Sequence, residues 1–292
     1  MCDEITEAEN EKWRVGRREF GIMGAGAAAV AMMPGCASGT GSSEAPTKTA
    51  AHTVRITTPD GEADAYFVYP TSGKHPGVIM WPDVAGLRQA YETMGTRLAE
   101  AGYAVLVVNQ YYRSSPAPIM NSLADWRTDE GQAKLRPMMA EITPVRVASD
   151  GGAFVDWLGQ QPEVDQARKV GTCGYCMGGP YTFRTAAARP GKVGALGSFH
   201  GGGLVTEAED SPHRLMEKMQ AALLIAIAQN DDARQPEAKD VLGTAAEAAG
   251  RHAEIEVYPA QHGWCTIDAG VYDQEQAEKA WGRMLDTFSH YL

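Results

Sequence analysis

The chain has little cysteine, no long apolar run and no surplus of positive charge. Five cysteines in 292 residues are too few for a scaffold built on disulfides. No uninterrupted apolar stretch reaches the ~20 residues that a bilayer-spanning helix needs, which excludes a polytopic membrane protein. The 26 Lys and Arg stand against 37 Asp and Glu, a formal charge of −11, and that balance argues against a nucleic-acid partner. What is present, 44% hydrophobic and 22% charged residues, is ordinary globular composition, and the length admits one large domain or two smaller ones.

The first fifty residues do not read as folded protein. Arg17-Arg18-Glu19-Phe20 leads into an uncharged stretch over 21–33, rich in Gly, Ala and Met, and then into small residues around Pro34-Gly35-Cys36-Ala37. This is the layout of an export signal. Its weak hydrophobicity beside paired arginines resembles a twin-arginine (Tat) leader, which implies delivery of a folded protein to the periplasm or cell envelope. Gly16 stands where such motifs often carry Ser, and the segment before the arginines is acidic; the plainer alternative is a floppy cytoplasmic tail. Cys36 after Met33-Pro34-Gly35 also resembles a lipobox, and a lipid on Cys36 would tether the chain to a membrane. Small and polar residues over 37–51 suit a flexible linker. The expected organisation is therefore an export signal over 1–36, a linker over 37–51 and a folded domain over 52–292.

From His52 onward, apolar runs of strand length alternate with longer segments of helical period, the pattern of an α/β domain with a mainly parallel sheet. Segments 53–57 and 63–69 flank Pro59-Asp60-Gly61 and predict an antiparallel hairpin at one edge. Buried strands are predicted over 77–81, 104–109, 169–173, 193–199, 222–228 and 254–258, with helices over 88–101, 145–160, 178–188, 237–249 and 274–291. That makes a sheet of about eight strands with helices on both faces and no internal repeat. Segment 114–143, with Pro116, Pro118, Met120, Trp126, Met138 and Met139, breaks the rhythm. It reads as a helical excursion over the strand ends, where a parallel sheet puts its ligand crevice, either as packing or as a pocket wall.

Candidate chemistry begins after the strand predicted at 169–173, at Gly174-Tyr175-Cys176-Met177-Gly178-Gly179. A nucleophile on a sharp strand-to-helix turn needs glycine neighbours, and GxCxGG is such an elbow with cysteine in place of serine. The helix beginning there favours thiolate over thiol, and the Met177 N–H would face a developing oxyanion. Two more segments follow in the chain order of an α/β hydrolase, nucleophile, acid and then base. Gln229-Asn230-Asp231-Asp232 sets carboxylates at the end of one strand, and Pro259-Ala260-Gln261-His262-Gly263-Trp264 presents a histidine after another.

Together these segments resemble the dienelactone hydrolase family of α/β hydrolases, over 52–292. Trp81-Pro82-Asp83-Val84-Ala85-Gly86-Leu87 and Asn109-Gln110-Tyr111-Tyr112-Arg113 carry the resemblance alongside the elbow and the Asp231 and His262 segments. The resemblance implies an α/β-hydrolase fold and hydrolysis of a small-molecule carboxylic ester or lactone through a thioester; no His/Cys/Glu cluster has ligand spacing, so no metal or organic cofactor is expected. It implies Cys176 as nucleophile, His262 as base, Asp231 as the acid that orients it, and an oxyanion hole from the N–H groups of Val84 and Met177. Asp83 takes the place of a family glutamate near the thiol and is one methylene shorter. Arg113 matches an arginine that holds the substrate carboxylate, while a second such arginine is replaced by Thr266.

Plainer roles stand beside each of these. Asp231 lies three residues after the small residue ending its strand, which favours it over Asp232, with the other carboxylate left as a loop cap. Arg113 could equally serve a surface ion pair. His200, in Ser198-Phe199-His200-Gly201-Gly202-Gly203, is expected to line the pocket with Asp83 and Trp264, since one base suffices. Cys265 reads as a packing residue, and the Gly201–Gly203 run lacks the Lys-Ser/Thr pair of a phosphate loop. Cys173-Gly174-Tyr175-Cys176 is also a CxxC, so a thiol-disulfide oxidoreductase is a rival, as is a non-catalytic envelope binding protein on the same fold.

Overall fold

The computed structural model describes residues 47–292. The export signal, the Cys36 lipobox and most of the linker lie outside the described residues. The first strand begins at Thr49, so the end of the expected linker belongs to the sheet.

In chain order the elements are β1 (Thr49–Thr58), β2 (Gly61–Pro70), β3 (Gly77–Trp81), α1 (Gln89–Glu100), β4 (Ala104–Val108), α2 (Leu123–Trp126), α3 (Asp129–Ala140), α4 (Pro144–Leu158), β5 (Val170–Tyr175), α5 (Gly179–Ala188), β6 (Val193–Phe199), α6 (Pro212–Leu215), β7 (Ala222–Ala228), α7 (Gln229–Arg234), α8 (Ala238–Ala248), β8 (Ala253–Tyr258) and α9 (Gln274–Tyr291). The eight strands form one sheet in the order β1-β2-β4-β3-β5-β6-β7-β8. The hairpin β1–β2 joins β4 antiparallel, and all later neighbours pair in parallel.

Central strands are buried along their whole length, as continuous apolar runs in a sheet covered on both faces must be. Alternate residues feed two separate cores. Ile79, Trp81, Leu106, Leu196 and Ile225 pack with Phe154, Leu158 and Phe183 of α4 and α5. Val78, Met80, Val105, Phe199 and Leu224 pack with Tyr91, Leu98, Met284 and Phe288 of α1 and α9. The period of two along each strand thus becomes two layers of helices.

Several helices start where local chemistry stops the backbone elsewhere. Thr143 caps α4 by accepting from Arg146 N–H, with Pro144 in the first turn, and Asp273 caps α9 by accepting from Gln276 N–H. Both side chains satisfy first-turn amides that have no carbonyl partner within the helix. Segment 114–143 folds as the excursion expected, with Ile119, Met120, Leu123, Trp126 and Leu135 buried in the first core.

The strand order fixes where a ligand can sit. From β3 the chain runs outward through β4 on one side, and from β5 it runs outward to β8 on the other, so the reversal falls between β3 and β5. A crevice opens at the carboxyl ends of two such strands, and the turn after β3 and the elbow after β5 stand there.

Candidate active site

Cys176 follows β5 directly and has a φ of 53°, the left-handed region that L residues avoid. A single 3₁₀ turn, Cys176–Gly178, then passes into α5. The glycines around it are dictated by space. A Cβ on Gly174 would lie 2.1 Å from the Gly178 carbonyl oxygen, and one on Gly178 would lie 2.4 Å from that of Trp81. Strand, turn and helix can approach this closely only without side chains, and that approach holds Cys176 in its strained backbone at the N-terminal end of α5.

The acid and base segments are laced together by their own backbones. Gln229 N–H donates to the Ala260 carbonyl at 3.0 Å, and His262 N–H donates to Asn230 Oδ1 at 2.8 Å. These bonds bring His262 Nδ1 to 2.6 Å from Asp231 Oδ2. Asp232 turns the other way and pairs with Lys239 at 2.7 Å. The carboxylate facing the histidine is therefore that of Asp231.

Behind His262 lies a second imidazole. His200 is 1% exposed, has a φ of 41°, and is held by its N–H to the Ala226 carbonyl at 2.8 Å. Its ring meets those of His262 and Trp264 edge-on, with centroids 5.0 and 5.1 Å apart, and neither ring nitrogen has a hydrogen-bond partner among the described residues. Burial, reinforced by His262, holds its pKa well below the ordinary histidine value, so the ring is neutral at pH 7.

The turn after β3 is braced from several directions. Asp83 N–H donates to the Tyr91 hydroxyl at 3.0 Å, and Asp83 Oδ1 accepts from Ala85 N–H at 2.9 Å. The Asp83 carbonyl accepts from Gly86 N–H and from Gln110 Nε2. These bonds use the amides of Asp83, Ala85 and Gly86 and leave out that of Val84. The Tyr111 hydroxyl, meanwhile, donates to the Val84 carbonyl at 2.8 Å and touches Met177 Sδ at 3.9 Å, linking the two residues expected to stabilise an oxyanion.

The deciding comparison is with protein families: residues 63–292 match the model of the dienelactone hydrolase family. The chain belongs to the dienelactone hydrolase family. A protein of Methylorubrum extorquens provisionally named carboxymethylenebutenolidase is 25% identical over 244 residues, covering 82% of this chain and 80% of its own. Among solved structures, a provisionally named dienelactone hydrolase of Klebsiella pneumoniae superposes with a TM-score of 0.71 at 23% identity, over 84% of this chain and all of its own. A dienelactone hydrolase of Anabaena variabilis gives 0.62 at 19%, over 84% and 99%. These structural likenesses bear on the fold, and they match the mainly parallel sheet described above.

Within that family frame, three expected pocket residues have other occupations. Asp83 is 1% exposed, and both its carboxylate oxygens accept from Arg88, at 2.8 and 3.0 Å. It holds the turn and an arginine, rather than serving as a pocket acid. Arg113 is bidentate to Asp150, at 2.7 and 2.8 Å, and its Nε donates to Asp60 at 2.9 Å. Its charge is thus matched within the protein, as in the ion-pair alternative. Trp264 is fully buried, stacked on Tyr258 at 5.2 Å, and supports His200 from behind. Thr266, at the place of the family's second arginine, is buried with its hydroxyl 3.4 Å from that of Tyr91.

Sequence reasoning passed over Arg88, Asp268, Tyr111 and Asn230. Arg88 is 1% exposed; burial opposes its charge, but the charge of Asp83 and the hydrogen bonds that Arg88 donates to both carboxylates outweigh it, and its pKa rises above the ordinary value. Asn230 was signalled only by adjacency to Asp231, and Tyr111 by its place in the Asn109–Arg113 segment.

Proposed function

We propose that this hydrolase cleaves carboxylic ester or lactone bonds by acyl transfer through a thioester on Cys176. The observation that carries the proposal is the Asp231–His262 pair at 2.6 Å, at the same end of the sheet as a strained cysteine elbow. With Nδ1–H directed at Asp231, the His262 Nε2 lone pair takes the Cys176 thiol proton. The thiolate adds to the carbonyl carbon, and the Val84 and Met177 amides receive the oxyanion. Collapse expels an alkoxide, which takes its proton from His262; a water deprotonated by His262 then attacks the thioester and releases Cys176 and the carboxylic acid. In a lactone the leaving hydroxyl stays attached, so recyclisation competes with deacylation.

Turnover of chromogenic esters and lactones, compared with Cys176→Ala, tests the proposal, with hydroxylamine-labile acylation of Cys176 as the direct signature. Wild-type turnover in Cys176→Ala would sink it. Against the disulfide-exchange rival stands the burial of Cys173, which is fully enclosed and whose thiol pKa is pushed well up by that burial. We further propose export through the 1–36 signal, checked by the N-terminus and any lipid of protein recovered from cell envelopes; an unprocessed cytosolic chain would contradict it.

A further inference from the structure

The oxyanion turn and the base loop are connected through one buried cation. Arg88, one residue before α1, directs Nη1 to Asp83 Oδ1 at 2.8 Å and to the Gly86 carbonyl at 3.0 Å. Its Nη2 reaches Asp83 Oδ2 at 3.0 Å and Asp268 Oδ1 at 2.7 Å. Its Nε donates to Asp268 Oδ2 at 2.8 Å. A guanidinium has five N–H donors, and all of them are used here. One carboxylate lies beside Val84 in the turn, the other six residues beyond His262 in the base loop. Asp268 Oδ2 also accepts from Leu123 N–H at 3.2 Å, drawing in the excursion. A second, parallel link runs from Asp83 N–H to the Tyr91 hydroxyl and on to Thr266.

We infer that Arg88, with Asp268, is a positioning residue that sets the Val84 amide of the oxyanion hole against the His262 loop. This rests on the hydrolase proposal above and assigns a task within it. A planar fork clamped by two carboxylates holds distance and orientation together, and an oxyanion donor is effective only when fixed before charge develops. The arginine touches neither the nucleophile nor the base, so its effect is felt where a tetrahedral oxyanion forms.

Two reactions of Cys176 separate this role from general support. Acylation by p-nitrophenyl acetate passes through an oxyanion; alkylation by iodoacetamide needs the thiolate and access to it but forms none. In the full-length, reduced protein, Arg88→Lys and Asp268→Asn are expected to slow the acylation burst by about 10- to 100-fold, less than the loss on deleting a donor outright. Alkylation followed by mass spectrometry stays within about 3-fold, because the thiolate site is left intact. A trifluoromethyl ketone, whose thiol adduct carries the oxyanion, weakens in step with acylation. Asp268→Asn is the milder change, since its side chain is 24% exposed and asparagine keeps the shape; Tyr91→Phe, removing one hydroxyl from the second link, is expected to act in the same direction more weakly. Unchanged acylation in folded Asp268→Asn and Tyr91→Phe, or alkylation falling in parallel with acylation, overturns the assignment. Failure of the hydrolase proposal shows separately, as ester turnover that survives Cys176→Ala.

Discussion

His262 Nδ1 lies 2.6 Å from Asp231 Oδ2, while the adjacent carboxylate, Asp232, is held by Lys239 at 2.7 Å. Two consecutive aspartates thus do different work. Asp231→Asn is expected to lower kcat on the order of 10⁴-fold, because an amide favours the wrong imidazole tautomer and cannot stabilise the imidazolium. Asp232→Asn should change kcat by less than about 3-fold, as expected for a partly exposed ion pair. Steady-state kinetics on one chromogenic ester decide the matter; equal losses in both variants would reassign the acid.

Gly178 makes a second prediction about the elbow. A methyl group there would sit 2.4 Å from the Trp81 carbonyl oxygen and 2.7 Å from that of Pro82, and backbone cannot yield as a flexible side chain can. Gly178→Ala should therefore cost at least about 1–3 kcal/mol of stability and displace Cys176 from its position. Urea unfolding beside burst kinetics measures both effects; a variant with wild-type midpoint and burst would show that the turn relaxes freely.

The buried His200 predicts an acid limit to stability. Its folded pKa is depressed by burial and by His262, whereas in the unfolded chain it is near 6.5. Below that value the unfolded state binds the extra proton, so stability falls as the pH drops from about 6.5, by up to about 1.4 kcal/mol per pH unit. His200→Phe removes the titration. Its stability between pH 7 and pH 5 should decline less steeply than that of the wild type, whatever constant offset the replacement brings. Parallel curves in denaturant titrations would count against a neutral His200.

Arg113 is expected to matter for folding more than for substrate choice. Its carboxylate partner Asp150 is 3% exposed, and Arg113→Gln leaves that charge poorly matched, at a cost of about 3 kcal/mol. The ratio of kcat/KM for carboxylated and neutral lactones should stay within about 2-fold. A selective loss on the carboxylated lactone would return Arg113 to the substrate.

Much of this arrangement was legible along the chain. The eight strands stand within a few residues of their predicted places, because period-two and continuous apolar runs report directly which faces are covered. GxCxGG was legible too, since its glycines answer to a backbone approach so close that no side chain fits. Less visible was the occupation of charged side chains. Asp83 and Arg113 sit at positions where the family resemblance implied pocket roles, yet Asp83 is bound by Arg88, which also binds the distant Asp268, and Arg113 by Asp150 and Asp60. No local pattern links position 88 to position 268.

By itself the sequence determined the alternation of strands and helices, the elbow around Cys176, and the order in which acid and base segments follow it. Those are consequences of periodicity and backbone stereochemistry, which act between near neighbours. Only the tertiary structure decided that Asp231 faces His262, that Arg113 pairs with Asp150 and Asp60, and that one arginine joins the turn after β3 to the loop of His262. Hydrogen bonds and ion pairs act over a few ångströms in space with no regard to separation along the chain, so which charge meets which is settled when the sheet brings its loops to one edge.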